Sequence, residues 1–82
     1  MSLQLKDFEI VLNRNSPHIK IEYRYDDPIT RVRYCIYLFD EGLVGLHHFI
    51  LYEENYEESY SHIVESINDA LLAINYAKVA DR

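Results

Sequence analysis

Residues 30–52 read TRVRYCIYLF DEG LVGLHHFILY, two runs rich in β-branched and aromatic residues joined by Asp40-Glu41-Gly42. Gly42 supplies the left-handed residue that a three-residue hairpin loop needs, so the stretch predicts an antiparallel hairpin with strands over about 30–39 and 43–52. If Phe39 faces Leu43, the register pairs Leu38 with Val44, Ile36 with Leu46, Tyr34 with His48 and Val32 with Ile50. The even-numbered face is then almost wholly apolar and demands a cover. The odd-numbered face carries Arg31, Arg33, Cys35, Tyr37 and Phe39 beside Leu43, Gly45, His47, Phe49 and Leu51, which is aromatic and aliphatic with two arginines at one end.

Upstream, Ile19, Ile21, Tyr23 and Tyr25 alternate with His18, Lys20, Glu22 and Arg24, the period-two pattern of a strand over about 18–25 with one wet face. A further segment, about 7–13, alternates Phe8, Ile10 and Leu12 with Asp7 and Glu9. Val11 blurs it, so either a strand or a short helix fits there. Turn chemistry separates these segments at Asn13-Arg14-Asn15-Ser16-Pro17 and at Asp26-Asp27-Pro28.

Downstream, Tyr56, Tyr60, Ile63, Ile67, Leu71 and Ile74 recur at helical spacing, and Asn55 followed by Glu57 and Glu58 resembles a capped start. The spacing predicts one long helix over about 56–79, packed on the even face. Leu72, Tyr76 and Val79 fall opposite its main stripe and need a second cover, either the N-terminal segment or another chain. The expected architecture is α+β: a four-stranded, mainly antiparallel meander with one long C-terminal helix on one face.

A chain of 82 residues and 9.8 kDa fits one domain, 1–82, with a thin core. Net charge is −6, but residues 34–82 alone carry −7, whereas residues 14–33 carry +2. This balance disfavours nucleic acid as a partner. No apolar run is long enough for a bilayer-spanning helix, so no membrane partner is expected. A single cysteine, Cys35, excludes an intrachain disulfide framework and favours a reducing, cytoplasmic setting.

Motifs for chemistry are sparse. With only Gly42 and Gly45 there is no phosphate-binding loop and no nucleophile elbow. On the expected helix, His62 aligns with Glu58 and Asp69, a set that could ligate a metal or shuttle a proton. Cys35 and His47 face each other in the hairpin register, two ligands where zinc wants three or four. Neither set specifies a reaction, so no catalytic residue, cofactor or metal site is assigned.

The expected function is therefore a small acidic, non-enzymatic protein–protein interaction module. Its first partner is a second copy of itself in a homodimer, and another protein is a further candidate. The interface residues would be Arg31, Arg33, Tyr37, Phe39, Leu43, Phe49 and Leu51 on the odd face, with Leu72, Tyr76 and Val79 behind the helix. An inhibitor or regulator of a basic partner, working through the glutamates from Glu53 to Glu65, with Glu53, Glu54, Glu57 and Glu58 as the ones to substitute, is a variant of this class. Two alternatives from other classes are a small metal-dependent or acid/base enzyme built on His62, and a single-stranded nucleic-acid binder using Tyr37, Phe39, Arg31 and Arg33.

Overall fold

A computed structural model describes residues 2–12 and 16–80, with the 30–52 hairpin at the centre. A 3-10 turn, Leu5–Asp7, leads into strand β1, Glu9–Val11. Strand β2 is Ile19–Asp26, β3 Val32–Phe39, β4 Val44–Tyr52 and β5 Asn55–Val64, and helix α1 is Ile67–Ala80. All neighbours pair antiparallel in the order β1-β2-β3-β4-β5. The α+β class, the meander and the C-terminal helix match the sequence expectation, and the strand count is five rather than four. The hairpin register is also as expected, from Leu38 opposite Val44 to Val32 opposite Ile50. The first strand is shorter than 7–13 because residues 5–7 form the 3-10 turn, and Asn13, Arg14 and Asn15 lie outside the described residues.

The main correction concerns the expected helix over 56–79, whose first half is the strand β5. The β4–β5 turn consists of Glu53 and Glu54 alone, with φ of 45° and 71°. Two successive positive φ values are what a two-residue hairpin turn requires, and Gly or Asn normally supplies them. Nothing in the residue types announced this turn. Within β5, Ser59 is an extra residue between the pairs His48–Tyr60 and Phe49–Glu58, so it forms a bulge. The bulge breaks the period of two, and Tyr56, Tyr60 and Ile63 are spaced like a helix while facing opposite sides of a sheet. The helix instead starts at Ser66, whose hydroxyl accepts from Asp69 N–H at 3.2 Å and donates to Asp69 Oδ2 at 3.0 Å. Ser66-x-x-Asp69 is thus the true cap, and Asn55 instead pairs with Tyr52 across the turn.

The strain at Glu53 and Glu54 is testable. A non-glycine residue in the left-handed region costs about 1–2 kcal/mol. The double substitution Glu53→Asn with Glu54→Gly is expected to stabilise the fold by about 1–2 kcal/mol, raising the melting temperature by roughly 4–8 °C per kcal/mol. Thermal unfolding followed by circular dichroism measures it, and an unchanged or lower melting temperature would show that the turn stores no strain.

The core lies between the even face and α1. Ile36, Leu46, Ala70 and Ile74 are fully buried, with Tyr34, Val44, Leu3 and Phe8 around them. Helix α1 lies over β3, β4 and β5, running from beside the end of β5 toward the β2–β3 turn, where Lys78 meets Asp27. At 14 residues it is ~21 Å long, so it does not overhang the sheet as a longer helix would. The N-terminal segment is clamped to one flank of α1: Asn75 Oδ1 accepts from Leu3 N–H at 2.7 Å, and Asn75 Nδ2 donates to Leu3 O at 3.0 Å. Phe8 packs on Tyr25 with ring centroids 5.8 Å apart.

Candidate functional site

Two surfaces hold the residues expected at an interface. The first is the sheet face away from α1, built from Glu22, Arg24 and Asp26 on β2, the odd residues of β3 and β4, and Tyr56, Glu58, Ser61 and Ile63 on β5. Its middle is closed by its own side chains. Rings run in contact from Phe39 to Tyr37 (6.4 Å), Tyr37 to His47 (4.7 Å, edge-on) and His47 to Phe49 (6.0 Å, stacked). Gly45 permits this layer, since a Cβ there would lie 2.9 Å from the Phe39 ring. Below the rings, Cys35 is 1% and Glu22 2% exposed. Glu22 accepts from Arg24 at 2.7 Å.

Burial, helped by the Glu22 carboxylate, pushes the Cys35 thiol up to about 11, so it stays protonated near neutral pH and is a poor nucleophile. Burial likewise raises the Tyr37 phenol, with Cys35 and Glu22 adding to the effect. Both arginines expected here are placed away from a free basic patch. Arg33 donates to Asp26 at 2.6 and 3.0 Å and lies 3.8 Å above the Tyr56 ring. Asp26 thereby holds the guanidinium more firmly charged. Arg31 sits in the β2–β3 turn at φ 60°, where its carbonyl accepts from Leu51 N–H at 3.1 Å. Phe39, Phe49 and Leu51 are half-buried, and Leu43 and Ile63 at one end are the exposed apolar residues of this face. Together with His18, Asp40 and Glu41, Phe39, Leu43 and Ile63 line a shallow cleft.

The second surface is the outer side of α1. Leu72, Tyr76 and Val79 are 70%, 78% and 73% exposed. The N-terminal segment does not cover them, because it docks at Asn75 on the flank. On the β5 side of α1 a groove of about 380 Å³ opens between Ala73, Tyr76 and Ala77 on the helix and Leu46, His48, Tyr60 and His62 on the sheet. Its floor is a chain of rings, Tyr34 to His48 (4.9 Å), His48 to Tyr60 (5.3 Å) and Tyr60 to His62 (4.9 Å). His62 was legible as a chemistry-bearing residue and Tyr60 only as part of an apolar stripe, and their place beside a groove depends on β5 being a strand.

The sets considered for catalysis are divided by the fold. His62 points to the α1 face, Glu58 to the opposite face, and Asp69 caps the helix. Glu58 instead stands 3.5 Å from His47 Nδ1. Cys35 and His47 are partners in register as expected, with Tyr37 and Glu22 as their neighbours rather than further metal ligands. Among the described residues no three His, Cys, Asp or Glu side chains converge on a point that could hold a metal ion. The acidic residues 53, 54, 57 and 58 do not form one helical face: the first two make the turn, and Glu57 and Glu58 lie on opposite faces of β5. No helix is long and apolar enough to cross a membrane among the described residues. Compared with protein-family models, with curated proteins and with solved structures, the chain matches none.

Proposed function

We propose that this protein is a non-enzymatic protein–protein interaction module whose working unit is a homodimer formed on the α1 side of the sheet. The observation that carries this reading is the exposed row Leu72, Tyr76 and Val79 beside an apolar groove that no other segment among the described residues fills. Burying a Leu or Val side chain is worth about 1.5–3 kcal/mol, so leaving several in water favours association. The folded chain exposes 5906 Å². A compact monomer of this mass exposes roughly 5,200 Å², and one side of an ordinary stable interface covers about 800 Å². A reducing, cytoplasmic location suits the unpaired Cys35.

Sedimentation velocity over a hundredfold concentration range is the test. A concentration-dependent dimer is expected, and Tyr76→Glu should weaken it at least tenfold because a carboxylate would be buried among Tyr60, Ala73 and Ala77. A strict monomer at every concentration rejects the reading.

A further inference from the structure

Strand β5 is an edge with an unusual pattern of free backbone groups, and that pattern specifies how a second copy would join. Backbone direction alternates along a strand. Phe39 N–H donates to Leu43 O, and Asp27 N–H donates to Val32 O. Odd residues of β3 and β4 therefore bond to each other, and even residues of β4 turn toward β5. Their partners Val64, His62, Tyr60 and Glu57 bond inward. Tyr56, Glu58, Ser61 and Ile63 are left with N–H and C=O directed to the free edge. Without the Ser59 bulge these positions would alternate strictly, a pattern symmetric about any residue and so silent on register. The bulge leaves one centre about which all four are symmetric, the midpoint between Ser59 and Tyr60.

We infer that two copies pair antiparallel through β5 about a two-fold axis at that midpoint, joining two five-stranded sheets into one of ten strands. This deepens the homodimer reading and rests on it, using the groove with Tyr76 while Leu72 and Val79 stay on the outer side of α1. A palindromic set of donors and acceptors is what a two-fold axis requires. Tyr56 meets Ile63 of the second copy, and Glu58 meets Ser61, each pair exchanging two hydrogen bonds. This register alone uses all four free positions: an axis at His62 would pair only Ser61 with Ile63, and an axis at Glu57 only Tyr56 with Glu58. Side chains agree with the same register. Tyr56 covers Ile63, which is 57% exposed in one chain, and Glu57 faces His62 in a close pair.

Strands that must stay unpaired are kept short or are guarded by Lys, Pro, other charges or a bulge. β5 carries a bulge and two glutamates, but it has ten residues with no Lys or Pro, whereas the opposite edge, β1, has three residues. The helices fit as well. α1 starts beside the end of β5 and slants across the sheet until Lys78 meets Asp27 and the Tyr25 ring, so it draws away from the β5 edge and leaves room for a second copy on the same face. That room is the groove, and Tyr60 and Tyr76 of both copies fill it.

The experiment is a cross-link. Glu57 and His62 are ~16 Å apart on their own strand, too far for a disulfide within one chain, but adjacent across the proposed axis. The variant Glu57→Cys with His62→Cys should oxidise to a covalent dimer, and Cys35 is buried and will not interfere. In the unmodified protein, hydrogen exchange at the amides of Tyr56, Glu58, Ser61 and Ile63 should slow at least tenfold from dilute to concentrated solution. Ser61→Pro removes only an outward N–H, so it should keep the circular dichroism spectrum and lose the dimer. A dimer by sedimentation with no cross-link and with concentration-independent exchange at those four amides overturns the edge pairing and leaves the homodimer reading standing. A monomer at every concentration overturns both.

Discussion

Leu46→Ala is expected to destabilise the protein by about 3–5 kcal/mol, enough to lower its melting temperature by roughly 12–24 °C or more. Leu46 is fully buried at the centre of β4, between Ile36 on β3 and His62 on β5 and beneath α1. Its removal leaves a cavity that the sheet cannot close, because backbone hydrogen bonds on both sides hold the strand spacing. A domain of this size has about 5–15 kcal/mol in total, and its small core puts it toward the low end. Urea unfolding measures the loss. A change below about 1 kcal/mol would mean that Leu46 is not a core residue.

The second large effect is at Asp27, which ties the β2–β3 turn to the end of α1. Its carboxylate is buried, accepts from Ile29 N–H at 2.9 Å and Thr30 N–H at 3.3 Å, and pairs with Lys78 Nζ at 3.1 Å. Asp27→Ala removes all three contacts and leaves the Lys78 ammonium half-enclosed against the Tyr25 ring, 5.2 Å away. A loss of roughly 2–3 kcal/mol is expected. Burial alone would raise this carboxyl, but Ile29, Lys78 and Thr30 outweigh it and hold it below its ordinary range. A depressed folded-state value means that the stabilisation is fully present above the unfolded value and is lost as pH falls through the folded one. Stability should therefore decline below about pH 4, and the decline should be shallower in Asp27→Ala. Parallel acid limbs for the two proteins would count against the contact.

Both predictions involve positions whose importance was unevenly legible. Leu46 could be read as core from the hairpin alone, since Gly42 sets the loop and alternation sets the face. Asp27 looked like turn chemistry, and its link to Lys78 joins residues 51 positions apart that no local pattern connects. The interface residues divide in the same way. Leu72, Tyr76 and Val79 are exposed in the structure and lie opposite the buried stripe, as helical angles predict. The odd sheet face looked like a surplus apolar patch, yet Phe39, Tyr37, His47 and Phe49 cover one another, because rings on neighbouring strands sit within contact distance.

By itself the sequence determined the α+β class, the meander, the register of the central hairpin and the end of the chain as helix. These follow from interactions between near neighbours: alternation, helical spacing and a glycine in a loop. Residues 55–64 were decided by tertiary structure. Tyr56, Tyr60 and Ile63 fit a helix and a bulged strand equally well, and the turn that makes them a strand uses two glutamates in a conformation they resist. What selects the strand is the row of unpaired backbone groups on β4, which bonds to β5 and to nothing else among the described residues. That ladder exists only once the hairpin has formed, and no pattern within residues 55–64 could announce it.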